Sequence, residues 1–174
     1  VSKDGKMLAY TVSDSSKFKA LFVPNYLGEF VEAPTTRRGW SEQKLFVTPT
    51  DGSRDTPFEI KLPKPEGVGN FRGIKWAADN RSLIADRVDK DTKRRQLFYV
   101  YNAASKDESI INVDDETDPK WQAPLSAIVE PHPTDAKLLI FTSEKSGFNH
   151  FYRATIELPN RADVKQLTTG NWQA

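Results

Sequence analysis

The chain has no cysteine among its 174 residues, which excludes disulfides and thiolate metal sites and leaves the redox compartment open. Histidine is limited to His132 and His150. No apolar run approaches the roughly 18 residues of a membrane-spanning helix, and long segments of helical period are missing. Neither sign of charge dominates: 25 Lys and Arg stand against 24 Asp and Glu, a formal net charge of +1. That balance argues against a dedicated nucleic-acid binder, which carries a basic face. Val1 follows no initiator methionine and no basic-then-apolar leader, so the sequence reads as an excerpt and is silent about secretion.

What is present is a mixture of 28% charged and 37% hydrophobic residues, suited to one soluble domain with a real core. Strand-like alternation dominates, and it repeats. SKDGKMLAYT (2–11), AADNRSLIAD (77–86) and PTDAKLLIFT (133–142) each place an Asp and a turn-forming or small residue before an apolar strand. Asp4-Gly5 is a hairpin-turn dipeptide, Asp79-Asn80 a near equivalent and Asp135-Ala136 a weaker one. A second strand follows each time, in KLFVTPTDG (44–52), QLFYVYNAAS (96–105) and HFYRATIELPN (150–160), and then a third, in PFEIKL (57–62), SIINVD (109–114) and VKQLTT (164–169). FRGIKW (71–76) and LSAIVEPH (125–132) lead into the second and third Asp turns.

Four short strands per unit, repeated about three times, are the pattern of β-propeller blades. The expected fold is all-β, a partial β-propeller of about three four-stranded antiparallel blades. Residues 1–174 form a fragment of one propeller domain, with blades at 1–65, 66–118 and 119–170. An excursion at 17–40, rich in Pro and Gly and without a clean period, lengthens the first blade. Three blades do not close a ring, both ends read as cut, and an open arc leaves strand edges suited to association.

Three stretches carry a resemblance to the N-terminal propeller of dipeptidyl peptidase IV-type serine peptidases, in the prolyl oligopeptidase group. SKDGKMLAYT resembles the family's S-P-D-G-K turn and strand. EPHPTDAKLLIFTSEKSGFNHFY (130–152) is similar to its E-P-H…F-x-S-E-x-x-G-x-x-H-L-Y segment, and QLTTGNWQA (166–174) to its LT-x-G-x-W-E-V blade close. The residues that mark the family, read as structural, are Asp4, Gly5, Glu130, Pro131, His132, Ser143, Glu144, Gly147, His150, Tyr152, Gly170 and Trp172. The resemblance implies a parent that removes N-terminal dipeptides by acyl transfer to serine. Its catalytic residues lie on a C-terminal α/β-hydrolase domain, and the propeller narrows access and anchors the peptide substrate's amine through adjacent glutamates. No Glu-Glu dipeptide occurs in this chain. Leu125, Ser126 and Ala127 stand where the family often has an aromatic-arginine pair. A G-x-S-x-G nucleophile turn is absent too, since Gly39-Trp40-Ser41-Glu42-Gln43 lacks the second glycine. The family favours a periplasmic or secreted location.

SEKSGFNHFY (143–152) holds the inventory of a hydrolytic site, but Ser146-Gly147 reads as a turn, with Phe148, Phe151 and Tyr152 packing between blades and His150 bonding to backbone or a neighbouring loop. The acidic run VDDETD (113–118) lacks the EF-hand pattern and reads as a solvated loop rather than a cation site. DRVDKDTKRR (86–95) reads as a salt-linked hairpin tip. Trp76 and Trp172 are assigned to inter-blade packing; Trp40 and Trp121 have less settled neighbourhoods. The excursion supplies the candidate interaction residues Tyr26, Phe30, Arg37, Arg38 and Trp40, aromatic and guanidinium groups of the kind enriched at interfaces.

The expected function is a non-catalytic segment of such a peptidase, for substrate gating, domain docking or subunit contacts. Its partners would be the hydrolase domain, the parent's peptide substrate and a second copy met through 17–40 or open strand edges. No catalytic residue, cofactor, metal, nucleic acid or membrane is expected. The alternative is an interaction or ligand-binding propeller with no peptidase attached. A small self-contained enzyme would require His132 or His150 to converge with carboxylates.

Overall fold

A computed structural model describes residues 1–14, 22–32, 43–63, 69–89, 93–105, 108–118, 120 and 127–173. Every regular element among them is a strand: β1 (Met7–Ser13), β2 (Phe22–Pro24), β3 (Phe30–Glu32), β4 (Gln43–Pro49), β5 (Phe58–Ile60), β6 (Gly69–Trp76), β7 (Leu83–Asp89), β8 (Arg94–Tyr101), β9 (Ser109–Thr117), β10 (Val129–Pro131), β11 (Leu138–Ser143), β12 (His150–Glu157) and β13 (Arg161–Gln166). They form antiparallel sheets in the orders β1-β4-β5, β6-β7-β8-β9 and β10-β11-β12-β13, with β2-β3 a separate pair. The second and third sheets have the expected four strands, and the first has three among the described residues. The sheets stack side by side as an open arc of propeller-type blades.

The second sheet is covered on both faces, so β7 and β8 are buried along almost their whole length, charged residues included. Leu83, Ala85, Phe98 and Val100 pack against Leu45, Val47 and Ile60 of the first sheet, and Trp76 joins them. Ile84, Leu97, Tyr99, Ile111 and Val113 pack against Leu139, Phe141, Tyr152, Ala154 and Ile156 of the third. Adjacent residues such as Leu83 and Ile84 thus serve different cores, as the two-residue period of a strand requires.

The three Asp turns have one geometry. Each carboxylate accepts a hydrogen bond from the backbone N–H two residues on: Asp4 from Lys6 at 3.1 Å, Asp79 from Arg81 at 3.0 Å and Asp135 from Lys137 at 2.9 Å. These are Asx turns, and Gly5 and Asn80 fill the positive-φ position after two of them. The turns gather at one end of the arc, where Asp4 N–H donates to Asn80 Oδ1 at 3.3 Å.

Tyr99 lies beneath this end, its hydroxyl donating to the Ala136 carbonyl at 3.0 Å. Burial, with Asp79, Tyr101 and Asp135 nearby, pushes its phenol up to about 12, against a partial opposing effect of Ser82. The folded state therefore favours the protonated phenol. Stability is untouched below the unfolded pKa near 10 and falls as pH rises from there to about 12. Urea unfolding at stepped pH should show this alkaline loss, on the order of 2–3 kcal/mol, and Tyr99→Phe should remove it. An identical alkaline limb in the variant would sink the assignment.

Candidate functional site: the seam between the second and third sheets

The turn from β11 to β12 lies at the end of the arc opposite the Asp turns. Ser143 and His150 face each other in register across β11 and β12. Neither side chain uses the other. Ser143 Oγ donates to Glu116 Oε2 at 2.8 Å, and the Glu144 N–H donates to Glu116 Oε1 at 3.0 Å. Ser146 Oγ lies 3.2 Å from Gln166 Nε2, which donates to it. Ser143 is thus bonded to a carboxylate and Ser146 to an amide, and His150 is bonded to neither.

His150 is 2% exposed, and both its ring nitrogens are engaged. Nε2 lies 2.9 Å from the Gly170 carbonyl, which accepts, so Nε2 carries the proton. Nδ1 lies 3.2 Å from the Thr168 hydroxyl, and Thr168 Oγ1 itself accepts from the Phe151 N–H at 3.0 Å. Trp172 meets the imidazole edge-on, with centroids 5.0 Å apart and planes at 89°. Gly170 has φ of 129°, and a Cβ there would stand 2.4 Å from Trp172 Nε1, so only glycine fits. The histidine of SEKSGFNHFY and the T-x-G-x-W of the chain's last segment are therefore one packed unit.

Around this turn a polar seam joins the sheets. Arg95, on β8, is buried and pairs with Asp86 of β7 through Nε–Oδ1 at 2.9 Å and Nη2–Oδ2 at 3.2 Å. Its Nη1 donates to the Thr142 carbonyl of β11. Lys145 Nζ donates to Asp114 Oδ1 at 2.9 Å and lies 4.3 Å from the centre of the Tyr152 ring. On the opposite face of the second sheet, Arg87 donates to Gln96 Oε1 at 2.7 Å and to the Pro63 carbonyl. Gln96 donates in turn to Asp115, which Arg94 grips with two bonds at 2.6 and 2.7 Å. The Arg94 guanidinium holds the Asp115 carboxyl below the usual range against the opposing effect of burial. Burial, then Glu116 and Asp118, pushes the Glu144 carboxyl up.

Two readings of the sequence are corrected by this seam. The run at 113–118 is no solvated loop: β9 extends through Thr117, and Asp114, Asp115 and Glu116 are spent on inter-strand and inter-sheet bonds. The basic end of DRVDKDTKRR is likewise within β8, with Arg95 in the interior rather than at a hairpin tip.

The other singled-out residues fall elsewhere. Glu130 pairs with Lys75 between β10 and β6. Pro131 closes β10, and His132 caps the third Asp turn, Nδ1 accepting from the N–H groups of Thr134 at 3.3 Å and Asp135 at 3.0 Å. His132 and His150 thus sit at opposite ends of their sheet. A cavity of about 390 Å³ opens between the edge strands β6 and β10, its lining including Arg72, Lys75, Ile84, Asp86, Val129 and Glu130. Tyr26 and Phe30, on the β2–β3 hairpin, are 93% and 70% exposed. Arg37, Arg38, Trp40 and Trp121 lie outside the described residues. No three His, Asp or Glu side chains among the described residues are placed to hold a metal ion, and no helix there is long and apolar enough to cross a membrane. Sequence reasoning met Asp86, Arg95 and Glu116 only as members of charged runs, and it passed over Thr168.

The repeated sheets and turns define an all-β arc of propeller type. The family model for the dipeptidyl peptidase IV (DPP IV) N-terminal region matches residues 2–174, and the chain belongs to that family. Among curated proteins, none matches the chain significantly.

Proposed function

We infer that the chain is a non-catalytic propeller segment of a DPP IV-like serine peptidase, one that narrows the route of a peptide substrate and docks a C-terminal α/β-hydrolase domain carrying the nucleophile. The observation that carries this reading is the commitment of Ser143 and His150 to separate structural bonds inside a DPP IV N-terminal-type domain. The Ser-His form of acyl transfer needs the histidine bonded to the serine and a third group orienting the histidine; here Ser143 Oγ donates to Glu116, and the His150 Nε2 proton goes to the Gly170 carbonyl. The charged cleft between β6 and β10 supports the gating part, because it presents Lys75 and Glu130 at the edges of two adjacent sheets.

Incubation of the purified chain with a fluorogenic Xaa-Pro substrate should release no fluorophore. Turnover that disappears in Ser143→Ala would refute the reading. Whether the same reading frame continues into a domain bearing G-x-S-x-G separates the peptidase from an interaction propeller.

A further inference from the structure

At the Asp-turn end of the arc, on the face of the second sheet that meets the first, a cavity of about 350 Å³ opens beside Trp76 and Met7. Its volume falls in the range of about 300–1,000 Å³ usual for small-molecule sites. Trp76, at 9% exposed, is the most buried residue of its wall. Two turns frame the opening. The second Asp turn brings Asn80 and Arg81, and the turn that follows β8 brings Asn102. The Ala103 N–H donates to the Arg81 carbonyl at 2.9 Å, and the Ser105 N–H to the Asn102 carbonyl at 2.9 Å, so the two turns are tied together. The rim is therefore set by the protein's own backbone bonds, which makes it preorganised.

Asn80 and Asn102 are the two non-glycine residues with positive φ among the described residues, at 58° and 49°. Glycine takes that conformation at less cost, and Gly5 does so at the corresponding place in the first Asp turn. The turn geometry thus does not require an amide. What asparagine adds is its side chain, at two places on one cavity, and unusual backbone of this kind gathers at ligand sites. Asn80 Oδ1 accepts from the Asp4 N–H at 3.3 Å, while no described group accepts from its Nδ2. The Asn102 amide, the Arg81 guanidinium and the Trp76 indole N–H likewise have no hydrogen-bond or ion-pair partner among the described residues.

Charge then selects the ligand. The described wall holds one guanidinium and no carboxylate. The acids of the flanking turns are spent locally: Asp79 accepts from the Arg81 and Ser82 N–H groups and the Ser82 hydroxyl, and Asp4 from the Lys6 N–H and the Ser2 hydroxyl. A cation would meet Arg81, and a wholly polar anion would leave Trp76 and Met7 unused. We propose that this cavity binds a small monocarboxylate with an apolar body, either a free acid or the C-terminal residue of a peptide. The carboxylate accepts from Arg81 and from the Asn80 and Asn102 amides, and the body lies against Trp76 and Met7. The cavity and the β6–β10 cleft lie on opposite faces of the second sheet, and the site stands whether or not a hydrolase domain follows.

The test is a magnetic-resonance titration of the isotope-labelled 174-residue chain with N-acetyl-L-phenylalanine and with phenylacetate. The Trp76 indole signal is assigned through Trp76→Phe. Both acids should shift it saturably, with dissociation constants on the order of 1 mM. Their neutral carboxamides should bind about fivefold more weakly, the worth of one exposed ion pair. Arg81→Gln should abolish that preference while leaving the carboxamides' affinity unchanged. Asn102→Gly keeps the turn, because glycine accepts its φ, and should weaken both acids with the urea midpoint unmoved. Tighter binding of N-acetyl-L-phenylalanine would support the site as one for a peptide terminus, and tighter binding of phenylacetate as one for a free acid. An unmoved Trp76 indole, equal affinity for acid and carboxamide, a preference that survives Arg81→Gln, or displacement of the acids by inorganic phosphate would each overturn the proposal.

Discussion

Replacing Arg95 by methionine is expected to lower the stability of the chain by about 3–5 kcal/mol, the cost of leaving a buried charge without its partner. Arg95 and Asp86 are 2% and 6% exposed in their side chains, and the guanidinium also satisfies the Thr142 carbonyl across the seam. Removing it strands a carboxylate and a carbonyl at once. The measurement is urea unfolding with the midpoint compared at constant slope. The double change Asp86→Leu with Arg95→Met should recover most of the loss, because well-packed apolar residues of similar volume commonly replace a buried pair at little cost. A single variant within about 0.5 kcal/mol of wild type, the range of ordinary surface changes, would show that the pair is hydrated and the seam looser than its geometry.

The second large effect belongs to Phe141→Ala, expected to cost about 3–5 kcal/mol through lost burial and the cavity left behind. Phe141 is fully buried and stacks on Tyr152 with ring centroids 5.6 Å apart, in the core shared by the second and third sheets. Its neighbour Ile140 points to the opposite face and is 40% exposed, so Ile140→Ala should cost far less. Equal effects at the two positions would contradict the alternation on which the inter-sheet core depends. Against a typical total of about 5–15 kcal/mol, either Arg95→Met or Phe141→Ala consumes a large share of the stability.

The parts of the fold that were legible in the sequence are those set by local chemistry. The Asp turns announce themselves because the carboxylate bonds a backbone N–H two residues away, an interaction contained within one short segment. Trp76 could be assigned to packing because it ends a strand beside such a turn. The acids of 113–118 were misread because their partners are remote: Glu116 meets Ser143, and Asp114 meets Lys145, across a sheet boundary that composition does not record. Arg95 was hidden for the same reason, since an interior arginine is recognisable only once Asp86 and Thr142 are placed around it. The β2–β3 hairpin escaped notice because its strands are three residues each and one ends in Pro24. At the candidate site, SEKSGFNHFY was legible as a turn. That His150, Thr168, Gly170 and Trp172 form one unit became visible only through distances.

The seam also bears on how the chain is made. Synthesis delivers the amino-terminal sheets first, and domains begin to organise as they emerge. The carbonyl of Thr142 that completes the environment of Arg95 lies 47 residues further along. Until β11 arrives, the middle sheet carries an apolar face and a half-satisfied guanidinium open to the cell. The interval between the appearance of β8 and β11 is thus a window of vulnerability during translation, which closes when the third sheet settles onto the second.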